Sequence, residues 1–197
     1  AVEEIARVDG SHAATVAAEI SLGIGPLYYF VPEEQKKKFL MPLAAGEFIG
    51  AFALTEPAAG SDPVSQTTTA KRDGDAYILD GTKRFITSGK NSGLVIVTAR
   101  TDEQQRHKGI SAFLVEKGTP GFIVGDEEDK MGLRASDTTD LIFENGRIYI
   151  RKTEIGYLVI LMALYVPIAM IRLNCDILLP LLQPQKSSRK FGRFFKK

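Results

Sequence analysis

Apolar residues recur at helical intervals over roughly the first 45 positions. Val2, Ile5 and Ala6 form one stripe, and Ala13, Val16, Ala17 and Ile20 form a second. The i, i+3, i+4 spacing is that of helices with one buried face. Ser11 reads as the cap of the second helix, and Gly23 and Gly25 as its end. A further helix is predicted after Val31. Pro32 stands at its first turn, Glu33 and Glu34 follow, and Lys36 to Lys38 come later, an order that suits the helix dipole. Gly46 reads as its stop.

From Ile49 the period shortens. Ala51 to Thr55 reads as an apolar strand running into a turn-rich stretch, Glu56 to Pro63. Thr67–Lys71 and Ala76–Leu79 flank Asp73-Gly74-Asp75, a hairpin signal. Asp80-Gly81 reads as a second turn into Thr82–Thr87. Leu94–Ala99 is almost continuously apolar, as in a strand buried on both faces. Ile110–Val115, Phe122–Val124 and Leu141–Phe143 supply three more strands. Short strands at this spacing, with no helix between them, predict an antiparallel β-barrel or sandwich. They argue against a parallel dinucleotide fold, and no G-x-G-x-x-G follows a strand. Helices followed by strands make the class α+β.

After Ile155 the pattern changes again. Gly156 to Ile171 holds no charge and one proline, Pro167. The chain of 197 residues carries 25 Lys+Arg against 24 Asp+Glu. Six of those bases lie between Lys186 and Lys197 with no acid among them, leaving 19 bases against 24 acids, or −5, in the rest. The body therefore offers no global case for nucleic-acid binding. With 44% hydrophobic and 25% charged residues, general disorder is excluded. Cys175 is the only cysteine, so no intramolecular disulfide forms. His12 and His107 have no second ligand at metal spacing, so no metal site is expected.

Three stretches carry candidate chemistry. In Phe52-Ala53-Leu54-Thr55-Glu56-Pro57-Ala58-Ala59-Gly60-Ser61-Asp62 a strand stops abruptly. Gly60 permits close backbone approach to a ligand, and the Thr55 and Ser61 hydroxyls are donors for an anion or a ring carbonyl. An ordinary loop with a Ser/Asp cap is the plainer alternative. In Arg84-Phe85-Ile86-Thr87-Ser88-Gly89, Phe85 and Thr87 are two apart on a strand and face one way. They suit stacking on a flat heterocycle and bonding to its edge; a core Phe beside a turn Thr is the alternative. Glu128 to Thr138 reads as a charged surface loop.

Taken in order, these stretches resemble the acyl-CoA dehydrogenases, and within them the short-chain, butyryl-CoA type. Glu34-Gln35-Lys36-Lys37-Lys38-Phe39-Leu40 matches first, then Thr55-Glu56-Pro57 and Gly60-Ser61-Asp62. Leu79-Asp80-Gly81-Thr82-Lys83-Arg84-Phe85-Ile86-Thr87, Lys108 to Val115 and Lys130 to Ser136 follow. The resemblance covers about residues 1 to 148.

It implies a partial N-terminal helical domain over 1–48, a middle β-domain over 49–148, and an unmatched segment, 149–197, where the family carries a C-terminal helical bundle. It implies FAD as cofactor and oxidation of a short-chain acyl-CoA to trans-2-enoyl-CoA. Electrons would pass to an electron-transfer flavoprotein. The family's flavin-binding stretches fall on Phe52, Leu54, Thr55, Gly60 and Ser61, and on Phe85, Ile86 and Thr87; Ser61 also matches an acyl-CoA contact. Family members often carry Trp at the Phe85 position, and this chain has no Trp. No residue matches the family's glutamate base, so no catalytic residue is assigned and the chain is expected to be incomplete or inactive. The family is typically tetrameric and works in the bacterial cytoplasm or mitochondrial matrix. The apolar run within 157–182 and the basic tail suggest membrane contact. A non-catalytic or membrane-associated module retaining the β-domain is the alternative.

Overall fold

The computed structural model describes residues 1–149; the rest of the unmatched segment, including the 157–182 stretch for which membrane contact was an expectation, lies outside the described residues. Helix α1 spans Val2–Ala6 and α2 spans Gly10–Ala18. The cap of α2 is Asp9 rather than Ser11: its carboxylate accepts from the Ser11 and His12 amides at 2.7 and 3.1 Å, satisfying two otherwise orphaned donors. Gly23 and Gly25 do not end this helix. The chain continues through a wider π turn, Glu19–Ile24, into α3, Gly25–Phe30, and leaves it at Val31. Gly23 serves close packing instead, because a Cβ at Gly50 would sit 3.3 Å from its Cα. Pro32 then precedes α4, Glu33–Gln35, a second π turn, Lys36–Leu40, and α5, Met41–Ala45. Gly46 closes α5 at φ 77°, with the Glu47 amide bonded back to the Pro42 carbonyl at 3.0 Å, as a left-handed C-terminal cap requires.

Seven strands follow: β1 Ile49–Ala53, β2 Thr69–Asp73, β3 Ala76–Thr87, β4 Ser92–Arg100, β5 Ile110–Glu116, β6 Phe122–Glu127 and β7 Thr138–Tyr149. The expected hairpin joins β2 to β3 with Gly74 at φ 62°. Helices followed by a strand-built unit bear out the α+β order. The sheet, however, is mixed rather than purely antiparallel. β1 runs parallel to β4, from Gly50↔Leu94 to Ala53↔Val97, and β2 meets β4 in parallel at Thr69↔Arg100. The remaining pairs, β2·β3, β3·β7, β4·β5 and β6·β7, are antiparallel. The parallel pairs arise because β1 and β2 are joined to β4 by long connections, which leave strand direction free.

Asp80-Gly81 is not a turn. β3 runs straight through it, with register shifts at Leu79/Gly81 and Lys83/Ile86. β4 is buried on both faces as expected. Val95, Val97 and Ala99 join one cluster with Leu79, Phe113 and Phe143. Leu94 and Ile96 pack on the other face against Leu27, Val31, Phe39 and Leu43 of the helical layer.

Candidate functional site

The strand-end stretch and the Phe85 stretch meet in space. β1 pairing stops at Ala53, so the next carbonyls need donors from elsewhere. The Ala53 carbonyl accepts from the Thr98 hydroxyl at 3.3 Å, Leu54 from the Lys83 Nζ at 3.1 Å, and Thr55 from the Arg84 amide at 2.7 Å. Leu54 and Thr55 are thereby tied to β3 just before Phe85, and Ala53 to β4.

Between Lys83↔Leu141 and Ile86↔Thr139, β3 carries one extra residue. Phe85 occupies this bulge at φ 57°, with its amide on the Asp140 carboxylate at 3.3 Å. The ring is 55% exposed, a position no core phenylalanine takes, and the Arg84 guanidinium lies 4.9 Å from its centroid. Ile86 turns the other way into the core.

Around these residues lies a cleft of ≈ 220 Å³. Ala18 and Leu22 form its helical side, Gly50, Ala51 and Phe52 its β1 floor, and Leu54, Thr55, Phe85, Ile86 and Thr87 the rest. The hydroxyls of Thr55 and Thr87 have no hydrogen-bond partner among the described residues. Six sequence-derived candidates are therefore brought together. Gly60 and Ser61 are not: both are exposed in the loop after Glu56 and do not line the cleft, and a side chain at Gly60 would meet nothing within 4 Å. The loop from Glu128 is a polar surface loop, anchored by the Lys130 ammonium on the Ser136 carbonyl and the Thr138 hydroxyl.

Two carboxylates behind the cleft escaped sequence reasoning. Glu56 is buried and pairs with fully buried Lys83 at 2.7 Å. It also accepts from the Thr67 amide and hydroxyl at 2.5 and 2.9 Å. Burial resists its ionisation, but the bonds from Lys83, Thr68 and Thr67 win and hold its carboxyl down to about 2. For Lys83 burial dominates over the attraction of Glu56, lowering the ammonium to about 8. Glu19, in the π turn, accepts from the Gly50 amide at 2.9 Å through one oxygen; its other oxygen is buried without a partner among the described residues. Burial raises its carboxyl to about 7, against the lone opposing Gly50 bond. An acid in the Thr-Glu-Pro stretch was visible in sequence, but its partner was not.

A helical layer packed on a curled mixed sheet, with a cleft between them at the end of β1, defines the class of protein. Residues 1–47 match the acyl-CoA dehydrogenase N-terminal domain and residues 51–146 the acyl-CoA dehydrogenase middle domain. The chain belongs to the acyl-CoA dehydrogenase family. It is 47% identical over 149 residues to a short-chain-specific acyl-CoA dehydrogenase of Megasphaera elsdenii, covering 75% of this chain and 39% of that relative. The solved butyryl-CoA dehydrogenase of the same organism superposes with a TM-score of 0.76 at 44% identity, over 79% of this chain and 41% of that one. A glutaryl-CoA dehydrogenase from Mycobacterium smegmatis, solved in complex with FADH2, gives a TM-score of 0.65 at 43% identity, over 70% and 34% of the two chains. The chain thus spans about two-fifths of the length of the curated relatives it matches.

Proposed function

We propose that this chain supplies the FAD-facing and acyl-CoA-facing walls of a short-chain acyl-CoA dehydrogenase, with 1–48 in its helical domain and 49–148 in its middle β-domain. The supporting observation is the convergence of Phe52, Leu54, Thr55, Phe85, Ile86 and Thr87 on one cleft from two separate stretches of chain. The residues present fit one side of a flat heterocycle: an apolar floor, two unbonded hydroxyls and an exposed ring. Its ≈ 220 Å³ is below the ~300–1,000 Å³ of a complete small-molecule pocket, as expected of one wall of a larger site.

Leu54, Thr55, Phe85 and Thr87 would line one side of a flavin, which when bound would supply the two-electron oxidising capacity for loss of an α-proton and a β-hydride from a short-chain acyl-CoA to give trans-2-enoyl-CoA, with an electron-transfer flavoprotein as the electron acceptor. Thr55 and Thr87 would place hydroxyl donors at the heterocycle edge, where donors aimed at developing negative charge are most effective. Phe85 would cover one face, Leu54 would keep water from the other groups, and Ile86 would anchor the Phe85 segment to the core. Ser61 stays assigned to the acyl-CoA side. No described residue is assigned the α-proton: Glu56 is committed to Lys83, and Glu19 lies behind the cleft wall. Tetramer formation, and a bacterial cytoplasmic or mitochondrial setting, are the family-level expectations that accompany this reading.

Titration of the purified chain with FAD, followed by flavin fluorescence and visible absorbance, tests it. Saturable binding is expected, at least tenfold weaker in Thr55→Val and Phe85→Ala. Butyryl-CoA is expected to perturb the bound-flavin band without bleaching it. Absence of saturation by ~1 mM FAD, a binding free energy weaker than about −4 kcal/mol, would refute the assignment.

A further inference from the structure

We propose that Lys83 is a positioning residue for the cleft, holding its two walls in register through the Leu54 carbonyl while touching no ligand itself. As a statement about flavin this rests on the function proposed above; as a statement about the cleft it stands on geometry alone.

Lys83 is 0% exposed, and a charge is buried at a cost that apolar packing would avoid. Its ammonium has four oxygens within bonding distance. These are Glu56 Oε1 at 2.7 Å, Gln66 Oε1 at 3.0 Å, the Leu54 carbonyl at 3.1 Å and Thr98 Oγ1 at 3.2 Å. Glu56 supplies the counter-charge, and the Thr67 and Thr68 amides fix Glu56 in turn. Gln66 and Thr98 also bond each other at 2.9 Å. The group is thus fastened from three sides, and the Leu54 carbonyl is its one bond to the cleft.

That bond falls where strand pairing has run out. The β1·β4 register ends at Ala53↔Val97, so no neighbouring strand orients the Leu54–Thr55 peptide. In a planar trans peptide the carbonyl and the following N–H point opposite ways. Drawing the Leu54 carbonyl to Lys83 therefore turns the Thr55 N–H away from the ammonium. It also brings the Thr55 carbonyl onto the Arg84 amide at 2.7 Å. Lys83 stands two residues before Phe85 on β3, so one side chain sets the spacing between the wall carrying Leu54 and Thr55 and the wall carrying Phe85 and Thr87.

Lys83→Met alone would strand the Glu56 charge, so the informative variant is Lys83→Met/Glu56→Gln, which removes both charges and the Leu54 bond. In the cofactor-free protein, its Arg84 amide is expected to exchange hydrogen at least tenfold faster than in the parent, while the Val95 and Val97 amides of β4 keep their protection. In FAD titrations its affinity is expected to fall at least tenfold and its bound-flavin absorbance to shift. A folded double variant with parental Arg84 protection, or with parental FAD affinity, overturns the proposal. Should the double variant not fold, Glu56→Gln alone keeps the Lys83 side chain, which still donates to the Leu54 carbonyl as a neutral amine: retained Arg84 protection then supports Lys83 as the clamp, and lost protection overturns it. A parent chain that fails to bind FAD refutes the proposed function, and the exchange measurement still decides the role of Lys83.

Discussion

Phe85 holds a left-handed backbone conformation, φ 57°, that a bulky residue adopts at a cost of about 1–3 kcal/mol. Its ring recovers little of this by burial, being 55% exposed. Glycine takes the same conformation without strain and loses roughly 0.5–1 kcal/mol to backbone entropy. Phe85→Gly is therefore expected to raise stability by a net ~0–2.5 kcal/mol while weakening FAD binding. Denaturant unfolding and flavin titration read the two effects; a less stable variant with parental flavin affinity would remove Phe85 from its proposed role. The stacking face proposed for this position was suggested in sequence by an aromatic two residues from a hydroxyl. Its backbone state was not, because the extra residue exists only relative to Asp140 on the partner strand. Lys83 was less legible still. Its four acceptors lie 15 to 29 residues away, and no local pattern marks a lysine as buried.

Among the elements, β3 departs furthest from its sequence reading. Asp-Gly is a strong turn signal, yet Gly81 sits at φ 144° inside a strand. The glycine is needed for approach: a Cβ there would stand 2.7 Å from the Thr68 Cα and 2.5 Å from its hydroxyl. Gly81→Ala combines that clash with a disfavoured φ and is expected to cost ~2–4 kcal/mol, measured by urea unfolding. A loss below ~1 kcal/mol, the ordinary effect of a substitution, would show that the strand adjusts. The second register shift also explains why alternation along β3 was hard to read. At Lys83/Ile86 the extra residue lies on β3 and moves the following side chains to the opposite face, so an inward Lys83 and an outward Phe85 do not follow a simple period of two. The β2–β3 hairpin and the Gly46 stop, by contrast, were correctly placed, because each depends on a few adjacent residues.

At the scale of the molecule, the helical layer meets the sheet through Leu27, Phe39 and Leu43 against Leu94 and Ile96, and through the bond from the Gly50 amide to Glu19. Glu19 makes that junction sensitive to pH. Its folded carboxyl is raised by burial to about 7 from 4.5, so the folded state holds the proton more tightly than the unfolded one. Its stabilising contribution is complete below pH 4.5 and is lost as pH rises through about 7. Glu19→Gln keeps an oxygen for Gly50 and has no proton to lose. Relative to the parent, this variant is expected to gain on the order of 1–2 kcal/mol between pH 4.5 and pH 8, after allowance for solvent screening. Unfolding curves across that range check it; parallel pH profiles for variant and parent would show that Glu19 is not the titrating group.

The order of helices and strands, the β2–β3 hairpin, the Gly46 stop and the family membership were present in the linear sequence. They depend on periods and motifs spanning a few neighbouring residues, and several such motifs in one order are specific. Folding settled the parallel pairing of β1 with β4, the bulges that aim Phe85 and seat Gly81, and the separation of Gly60 and Ser61 from the cleft. It also settled the burial of Lys83 against Glu56 and of Glu19 beneath Gly50. Each of these is a contact between distant stretches whose energy comes from exclusion of water and from partners that local propensity does not specify.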